Sequence, residues 1–258
     1  MKLFRQIAVL ILVCLVTTIG AQNRGFVGKR MVKNYLPSEY SGGSQNWAIV
    51  ADSNRQLFIG NQFGVLHLNG GKWSRVATRN GSAVRALATD ENGKIYYGAI
   101  REFGALKISQ KGIYNLEVLS DAVEFHSPDV WSVHAYGSNK ICFHTEAKLF
   151  IRNSDSIEFI TPEGNFFYLT YKINNNLIVL DVGVGLKLLT DTTYLFIEGS
   201  QRFKNDRIES ILVDSENKLT FILRNGKIYR ADIVFLPNPA LINFREVALK
   251  INSPQNLG

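Results

Sequence analysis

Short apolar stretches separated by polar turns run through most of the chain. Each stretch is only a few residues long and is rich in Val, Ile, Leu and aromatic residues, which is typical of β-strands. Helical periodicity of about 3.6 residues is absent from these stretches. The pattern therefore predicts an all-β protein that is built from many short strands.

The strands recur as a repeat. Residues 47–60 and 85–98 share one order of features: a strand, an aspartate, a four-residue turn, a second strand and a glycine. Three looser copies follow, and each copy continues into a third strand and, in the first four, a half-exposed fourth strand. The apolar residue that opens the second strand recurs at intervals of 36 to 46 residues, at Leu57, Ile95, Ile141, Leu177 and Leu219.

Four short strands in about every 40 residues indicate a β-propeller blade. We predict an all-β fold, a β-propeller of four-stranded antiparallel blades with about five blades present. Residues 45–232 hold the blades, residues 22–44 form an N-terminal lead-in strand, and residues 233–258 form the start of a further blade or a linker. We expect Asp52 and Asp90 to accept backbone hydrogen bonds in their turns, and Gly60 and Gly98 to allow close backbone approach.

Residues 1–21 are predicted to be a secretory signal peptide. Lys2 and Arg5 form a basic start, residues 7–16 are an apolar run, and small residues lead to a cleavage site before Gln22. The run is shorter than the about 20 residues that cross a bilayer, and a retained signal anchor is the alternative. We therefore expect an exported, periplasmic protein, tethered to a membrane only through a retained signal or a segment outside this chain.

Composition and charge exclude several classes of protein. The chain is 46% hydrophobic and 20% charged, which excludes a disordered polymer. Removal of the signal peptide lowers the net charge from +7 to +5, and no cluster of Lys and Arg indicates a nucleic-acid partner. Cys142 would then be the one cysteine left, which precludes an intramolecular disulfide, and its strand-like context predicts a buried side chain.

The first two repeats resemble a known family. Residues 34–52, residues 57–66 and the outer-strand sequence Gly71-Lys72-Trp73 look like the opening of the two-component-regulator propellers. Those are the exported sensor regions of hybrid histidine kinases and related regulators of Bacteroidetes-type bacteria. The resemblance covers most of residues 34–230 and is loose in the later repeats. It implies a sensor propeller that binds a ligand and passes a signal to a partner or to a C-terminal region outside this chain.

The chain departs from the plan of that family. Seven-bladed propellers occur there, often in pairs, followed by a triple-tyrosine domain, a membrane span and a signalling module. Seven blades of about 40 residues need roughly 280 residues, whereas five repeats are visible here. We interpret the chain as a partial or truncated propeller of the seven-bladed type. A degenerate stand-alone sensor and a small propeller closed by residues 30–35 are the alternatives.

The candidate ligand site lies at the mouth of the propeller axis. Loops that enter the innermost strands, and loops between second and third strands, lie on one face of a propeller. Aromatic rings there would stack on sugar rings, and forked donors would bind the carboxylate of a uronic acid. The candidates are Trp47, Asn61, Phe63, Arg85, Arg101, Glu102, Phe103, Trp131, Glu146 and Asp181. We expect an oligosaccharide ligand; the alternative is that Trp47 and Trp131 are core residues between blades.

No set of residues stands out as catalytic machinery. Cys142, His144 and His134 lack the spacing of metal ligands, and any two acidic residues at a propeller mouth resemble a glycosidase pair. We therefore expect no catalytic residues, no metal and no cofactor, and predict a non-catalytic sensor. A polysaccharide lyase or hydrolase and a protein-interaction or adhesion module are the alternatives, and release of product from polysaccharides would favour the enzyme.

Overall fold

The computed structural model describes residues 32–126, 129–214 and 217–248. The chain divides into two compact units, Met1–Tyr35 and Leu36–Gly258, and the architecture below is that of the second unit. The predicted signal peptide and residues 22–31 and 249–258 lie outside the described residues.

The second unit consists almost entirely of short β-strands. One helix, α1, spans Pro37–Tyr40, and two 3₁₀ turns span Ser120–Ala122 and Ser200–Phe203. The strands are β1 Asn46–Ala51, β2 Leu57–Asn61, β3 Gly64–Asn69, β4 Lys72–Val76, β5 Val84–Thr89, β6 Ile95–Ala99, β7 Phe103–Ile108, β8 Tyr114–Val118, β9 Ser132–Tyr136, β10 Lys140–His144, β11 Leu149–Asn153, β12 Ser156–Ile160, β13 Phe167–Ile173, β14 Asn176–Asp181, β15 Gly185–Leu189, β16 Tyr194–Phe196, β17 Ile208–Val213, β18 Lys218–Leu223, β19 Ile228–Val234 and β20 Ala240–Glu246.

The strands form five antiparallel sheets of four strands, and each sheet is one uninterrupted stretch of chain. We number these sheets as blades 1 to 5, from β1–β4 to β17–β20. The first strands of successive blades lie next to one another, so that they are the innermost strands around a common axis. The structure thus confirms the predicted all-β propeller with about five blades.

The repeat that the sequence predicts is also the repeat of the structure. The second-strand residues Leu57, Ile95, Ile141, Leu177 and Leu219 pair with Ala51, Thr89, Ala135, Lys172 and Val213 near the end of the innermost strand of their blades. The two aspartates act in their turns as expected, because Asp52 Oδ1 accepts hydrogen bonds from the backbone N–H of Asn54 and Gln56, and Asp90 Oδ1 accepts those of Asn92 and Lys94.

The hydrophobic core lies between the blades. Four clusters of buried residues fill the four joins between consecutive sheets. Aromatic rings dominate two of them: Phe103 of blade 2 stacks on Phe143 of blade 3 with ring centres 4.3 Å apart, and Phe203 lies 4.8 Å from Phe221 at the join of blades 4 and 5. Each sheet is therefore held in place by its neighbours.

Blade 1 has one open face. Ile49 is 64% exposed, whereas Leu87, Val133 and Ile211, which hold the same position in blades 2, 3 and 5, are buried. In those blades this face packs against the preceding blade. No preceding sheet covers blade 1 among the residues that the structure describes.

Two boundaries differ from the prediction. Residues 32–44 hold α1 and loops rather than a lead-in strand. Pro37 begins the helix, where its missing N–H costs nothing, and the Glu39 carboxylate accepts the backbone N–H of Leu36 at 2.6 Å. At the other end, residue 232 falls inside β19, and β20 is the outer strand of blade 5 rather than part of a further blade.

Gly60 and Gly98 both lie close to the next blade: Gly60 approaches the backbone of β5, and Gly98 approaches the side chain of Val130, which precedes β9. A Cβ atom on Gly60 would lie 2.7 Å from the backbone carbonyl oxygen of Val84, and one on Gly98 would lie 2.4 Å from a methyl carbon of Val130.

We expect Gly60→Ala to lower the free energy of unfolding by about 1–3 kcal/mol, because a backbone oxygen cannot move without shifting blade 2. Urea denaturation measures this. Lys72→Ala, on the exposed outer strand of blade 1, is the control and should change stability by less than about 0.5 kcal/mol. Equal stabilities of Gly60→Ala and the parent protein would contradict the prediction.

Candidate ligand-binding site

One residue at the start of each innermost strand leaves the regular pairing. The pairing shifts by one residue at Trp47, Arg85, Tyr168 and Glu209, which are therefore bulges. Trp131 holds the same place in blade 3, where its backbone N–H donates to the His144 carbonyl. We call Trp47, Arg85, Trp131, Tyr168 and Glu209 the rim residues, since they lie at the same end of five successive innermost strands.

The guanidinium of Arg85 lies over the rings of two other rim residues. The Arg85 guanidinium carbon lies 5.7 Å from the centre of the Trp47 ring and 4.9 Å from that of Trp131. Arg85 Nε is 3.2 Å from Asp129 Oδ1, but the two groups are not aligned as a hydrogen bond, so their attraction is that of an ion pair. A cation–π contact contributes about 0.5–2 kcal/mol, so that two such contacts hold the guanidinium firmly.

The other two rim residues belong to a second polar group. Glu209 Oε1 accepts hydrogen bonds from Tyr168 Oη at 3.4 Å and pairs with Arg224 Nε at 2.8 Å. The Arg207 guanidinium carbon lies 5.8 Å from the Tyr168 ring. Aromatic and charged side chains thus continue along the rim into blades 4 and 5.

Two cavities share Trp131 and Glu146 as lining residues. The first has a volume of about 450 Å³ and is also lined by Glu124, Asp129, Lys148 and Phe150. The second has a volume of about 580 Å³ and includes the rim residues Tyr168 and Glu209. Trp131 is 44% exposed, so its ring is accessible to a ligand in this region. The volumes lie within the range of small-molecule sites.

A directed chain of hydrogen bonds lies in the wall of the second cavity. His144 Nε2–H donates to the Phe167 carbonyl at 3.3 Å, so His144 Nδ1 must accept the Ser132 hydroxyl proton at 3.1 Å. Ser132 Oγ in turn accepts from Thr170 at 2.6 Å, and Thr170 Oγ1 accepts from His134 Nε2 at 2.9 Å. This single direction gives every donor of the chain an acceptor and joins blade 3 to blade 4.

Burial keeps both histidines of this chain neutral. Desolvation lowers the pKa of His134 to about 4, and nearby Lys172 lowers it further against the bond to Thr170. Desolvation likewise lowers the pKa of His144 to about 4, against the bond to the Phe167 carbonyl. The direction of the hydrogen-bond chain requires both imidazoles to be neutral, because a neutral histidine donates through one ring nitrogen only.

Four of the ten predicted site residues lie in the interior and have structural contacts instead. The Asn61 side chain is fully buried and bonds to backbone groups of Gly43, Gln45 and Phe63. Asp181 is also fully buried, where its two carboxylate oxygens accept the backbone N–H groups of residues 163 and 164 at 2.8 and 3.0 Å. Both satisfy loop backbone that would otherwise lack partners.

Glu102 and Phe103 complete this group. Glu102 is 2% exposed and accepts the Tyr97 hydroxyl proton at 3.3 Å, while Arg79 approaches its other oxygen at 3.4 Å. Phe103 belongs to the core between blades 2 and 3. The expectation that these four residues ring the mouth is therefore corrected, since their side chains turn into the protein.

The structure places Trp47 and Trp131 beside Arg85, and Trp131 and Glu146 line both cavities, whereas Trp47 and Arg85 line neither. Phe63 and Arg101 are exposed at the β2–β3 and β6–β7 turns but line neither cavity. The prediction missed Tyr168, Glu209 and Arg224. A signal for the first two exists, because each rim residue lies nine or ten residues before the second-strand residue of its blade.

Other candidate chemistry is limited. In residues 32–126, 129–214 and 217–248 no three His, Cys, Asp or Glu side chains are grouped as metal ligands. Cys142 is buried as predicted, and burial raises the pKa of its thiol. No helix in the described part of the chain has the length and hydrophobicity to cross a membrane.

Similarity to known proteins is confined to structure. No protein-family model and no curated protein sequence matches the chain. A catalytically inactive variant of virginiamycin B lyase from Staphylococcus aureus with quinupristin is 15% identical, with a TM-score of 0.61 over 88% of this chain and 76% of that one. The WD40 β-propeller domain of Doa1 is 12% identical, with a TM-score of 0.54 over 74% of this chain and 66% of that one. The chain is a β-propeller.

The extracellular domain of a putative hybrid two-component system from B. thetaiotaomicron is also similar. It is 13% identical, with a TM-score of 0.43 over 81% of this chain and 30% of that one. Such a score is too low to support an argument from this protein. Identities of 15% and below show a common fold alone, because one fold hosts many functions.

The two buried histidines make a testable contribution to acid sensitivity. Their pKa values are about 4 in the folded protein and about 6.5 when unfolded, so the stability they contribute is complete above pH 6.5 and is lost as the pH falls towards 4. The loss amounts to about 3 kcal/mol for each histidine. Urea denaturation at pH 7.5 and pH 4.5 measures it.

Replacement of His144 by Asn should flatten this pH dependence, whereas replacement of the exposed His126 by Asn should not. The comparison uses the difference between the two pH values for each variant, so that any overall loss of stability cancels. The same pH dependence in His144→Asn as in the parent protein would show that His144 does not contribute to the acid sensitivity.

Proposed function

We propose that this protein is an exported, non-catalytic sensor propeller of a two-component-type signalling system, and that it binds a carbohydrate-like ligand at its rim residues. One observation carries the proposal. Equivalent positions in five successive blades place the rings of Trp47, Trp131 and Tyr168 and the charges of Arg85 and Glu209 at one end of the axis.

The chemistry of the two cavities suits a sugar. The exposed ring of Trp131 offers a flat apolar surface for the C–H face of a pyranose, and Glu146 beside it offers acceptors for hydroxyl groups. Glu209 and Arg224 add a fixed acceptor and donor in the second cavity. A ligand that spans Trp131 would contact both cavities, which favours an oligosaccharide over a single sugar.

The signalling half of the proposal rests on the N-terminal sequence. Residues 34–52 and 57–66 resemble the two-component-regulator propellers, and residues 1–21 have the pattern of a secretory signal. A ligand that contacts blades 3 and 4 together would favour one arrangement of these blades, and this shift would be passed to a signalling partner.

Trp131 provides the first test. A panel of neutral and acidic oligosaccharides is first tested for binding to the parent protein. We expect Trp131→Ala to bind the oligosaccharide so identified about tenfold more weakly, because the ring supplies about 0.5–1.5 kcal/mol beyond its buried area. Isothermal titration calorimetry measures the affinity. Phe63→Ala is the matched control, since Phe63 is 41% exposed but lines neither cavity. Absence of binding across the panel, or an equal loss in Phe63→Ala, would contradict the proposal.

A hydrolase is the second candidate, and the contact between Ser132 and His144 favours it. The Ser132 hydroxyl points to an imidazole nitrogen that can accept its proton, and both residues line the second cavity. Two features weigh against it: a pKa of about 4 makes His144 a weak base, and a backbone carbonyl rather than a carboxylate orients the ring. Product release from the same panel, lost in Ser132→Ala, would replace the sensor proposal by this one.

A further inference from the structure

We propose that Arg85 is the binding group for an oxyanion of the ligand, so that the oligosaccharide is an acidic one with carboxylate or sulfate groups. The inference rests on the proposed function and names its ligand class. It follows from how Arg85 is held and from which of its donors remain unused.

Arg85 is immobilised before any ligand arrives. The rings of Trp47 and Trp131 flank its guanidinium at 5.7 and 4.9 Å, and Asp129 attracts its Nε edge at 3.2 Å. A free arginine side chain loses up to about 2 kcal/mol of rotamer entropy when it is fixed. Here the protein has already ordered the side chain, so a ligand would not bear that cost.

The contacts to Arg85 leave the two Nη groups at the end of its guanidinium without a hydrogen bond to a described residue. Its Nε faces Asp129, whereas neither of its two Nη groups donates a hydrogen bond to the residues that the structure describes. The side chain is 28% exposed, so these donors remain accessible at the rim. Two parallel N–H groups match two oxygens of a carboxylate or sulfate, which a lysine ammonium cannot do.

The rest of the site directs an oxyanion to Arg85. Glu124 and Glu146 place two carboxylates in the first cavity, where they would repel an anion. The cation of the second cavity, Arg224, is already paired with Glu209. Lys148 lies with its ammonium 4.1 Å from the Phe159 ring centre. Among the rim residues Arg85 is therefore the one cation, and its Nη groups are held in place without a hydrogen bond to a described residue.

The test uses monosaccharide probes and does not require the natural ligand. The chain has three tryptophans, and Trp47 and Trp131 flank Arg85 while Trp73 lies beside Tyr40, 5.6 Å between ring centres. In ¹H–¹⁵N NMR spectra we expect D-glucuronate to shift the indole signals of Trp47 and Trp131 saturably and to leave that of Trp73 in place. D-Glucuronamide, the neutral isostere, should bind at least tenfold more weakly.

Variants test whether the guanidinium of Arg85 is the group that binds glucuronate. Arg85→Lys keeps the positive charge and should weaken glucuronate binding at least tenfold. Arg101→Lys, at an exposed arginine of the β6–β7 turn that is not a rim residue, should change it less than twofold. Equal binding of glucuronate and glucuronamide to the parent protein would overturn the inference, as would unchanged binding in Arg85→Lys or the lack of a saturable shift.

Further arms identify the source of the oxyanion. Tighter binding of glucuronate than of glucose 6-sulfate supports a uronic acid, and the reverse order supports a sulfated sugar. Inorganic sulfate that binds as tightly as both sugars would overturn the assignment to an acidic oligosaccharide. A neutral oligosaccharide that needs Trp131, with no response to glucuronate, would leave the proposed function standing and remove this inference. Glucuronate binding through Arg85, with no oligosaccharide of the panel bound, would support Arg85 as an oxyanion site and contradict the oligosaccharide ligand of the proposed function.

Discussion

Burial of apolar sheet faces against one another is the interaction on which this molecule depends. Each join between consecutive blades is an apolar cluster, and the alternation of a β-strand directs the side chains of an innermost strand to one face of its sheet or the other. A bulge is the exception, because the extra residue belongs to neither face. Four of the five rim residues escape the core in this way, and Trp131 holds the same place in blade 3, which is why the candidate site lies where it does.

The candidate site is charged, yet its charges are nearly all paired. Arg85 faces Asp129, and Arg224 faces Glu209, while the polar side chains deeper in the wall form a chain in which each donor has an acceptor. Such pairing lets polar groups stay close to the apolar joins without the cost of an unmatched buried charge. Among the residues that the structure describes, the Glu146 carboxylate and the Nη groups of Arg85 make no hydrogen bond, and these are the groups that the proposed ligand would use.

The repeat, and with it the fold, could be predicted from the sequence because blade packing demands an apolar residue at one fixed place per blade. Trp47, Arg85 and Trp131 could be placed at the rim for the same reason. Asn61 and Asp181 could not be assigned correctly, because a polar residue in a loop serves a ligand or the loop backbone equally well until the direction of its side chain is known. Tyr168 and Glu209 were missed because their repeats are loose, although their distance along the chain from Leu177 and Leu219 marks them. The helix at Pro37 was missed because one turn is too short to show periodicity.

Every blade is a contiguous stretch of chain, with no strand exchanged between sheets among the residues that the structure describes. Duplication or loss of one segment of about 40 residues would therefore add or remove a whole sheet without rethreading its neighbours. Each such event would also add or remove one side chain at the mouth of the axis. In this architecture, growth of the scaffold and diversification of what it recognises are the same genetic step.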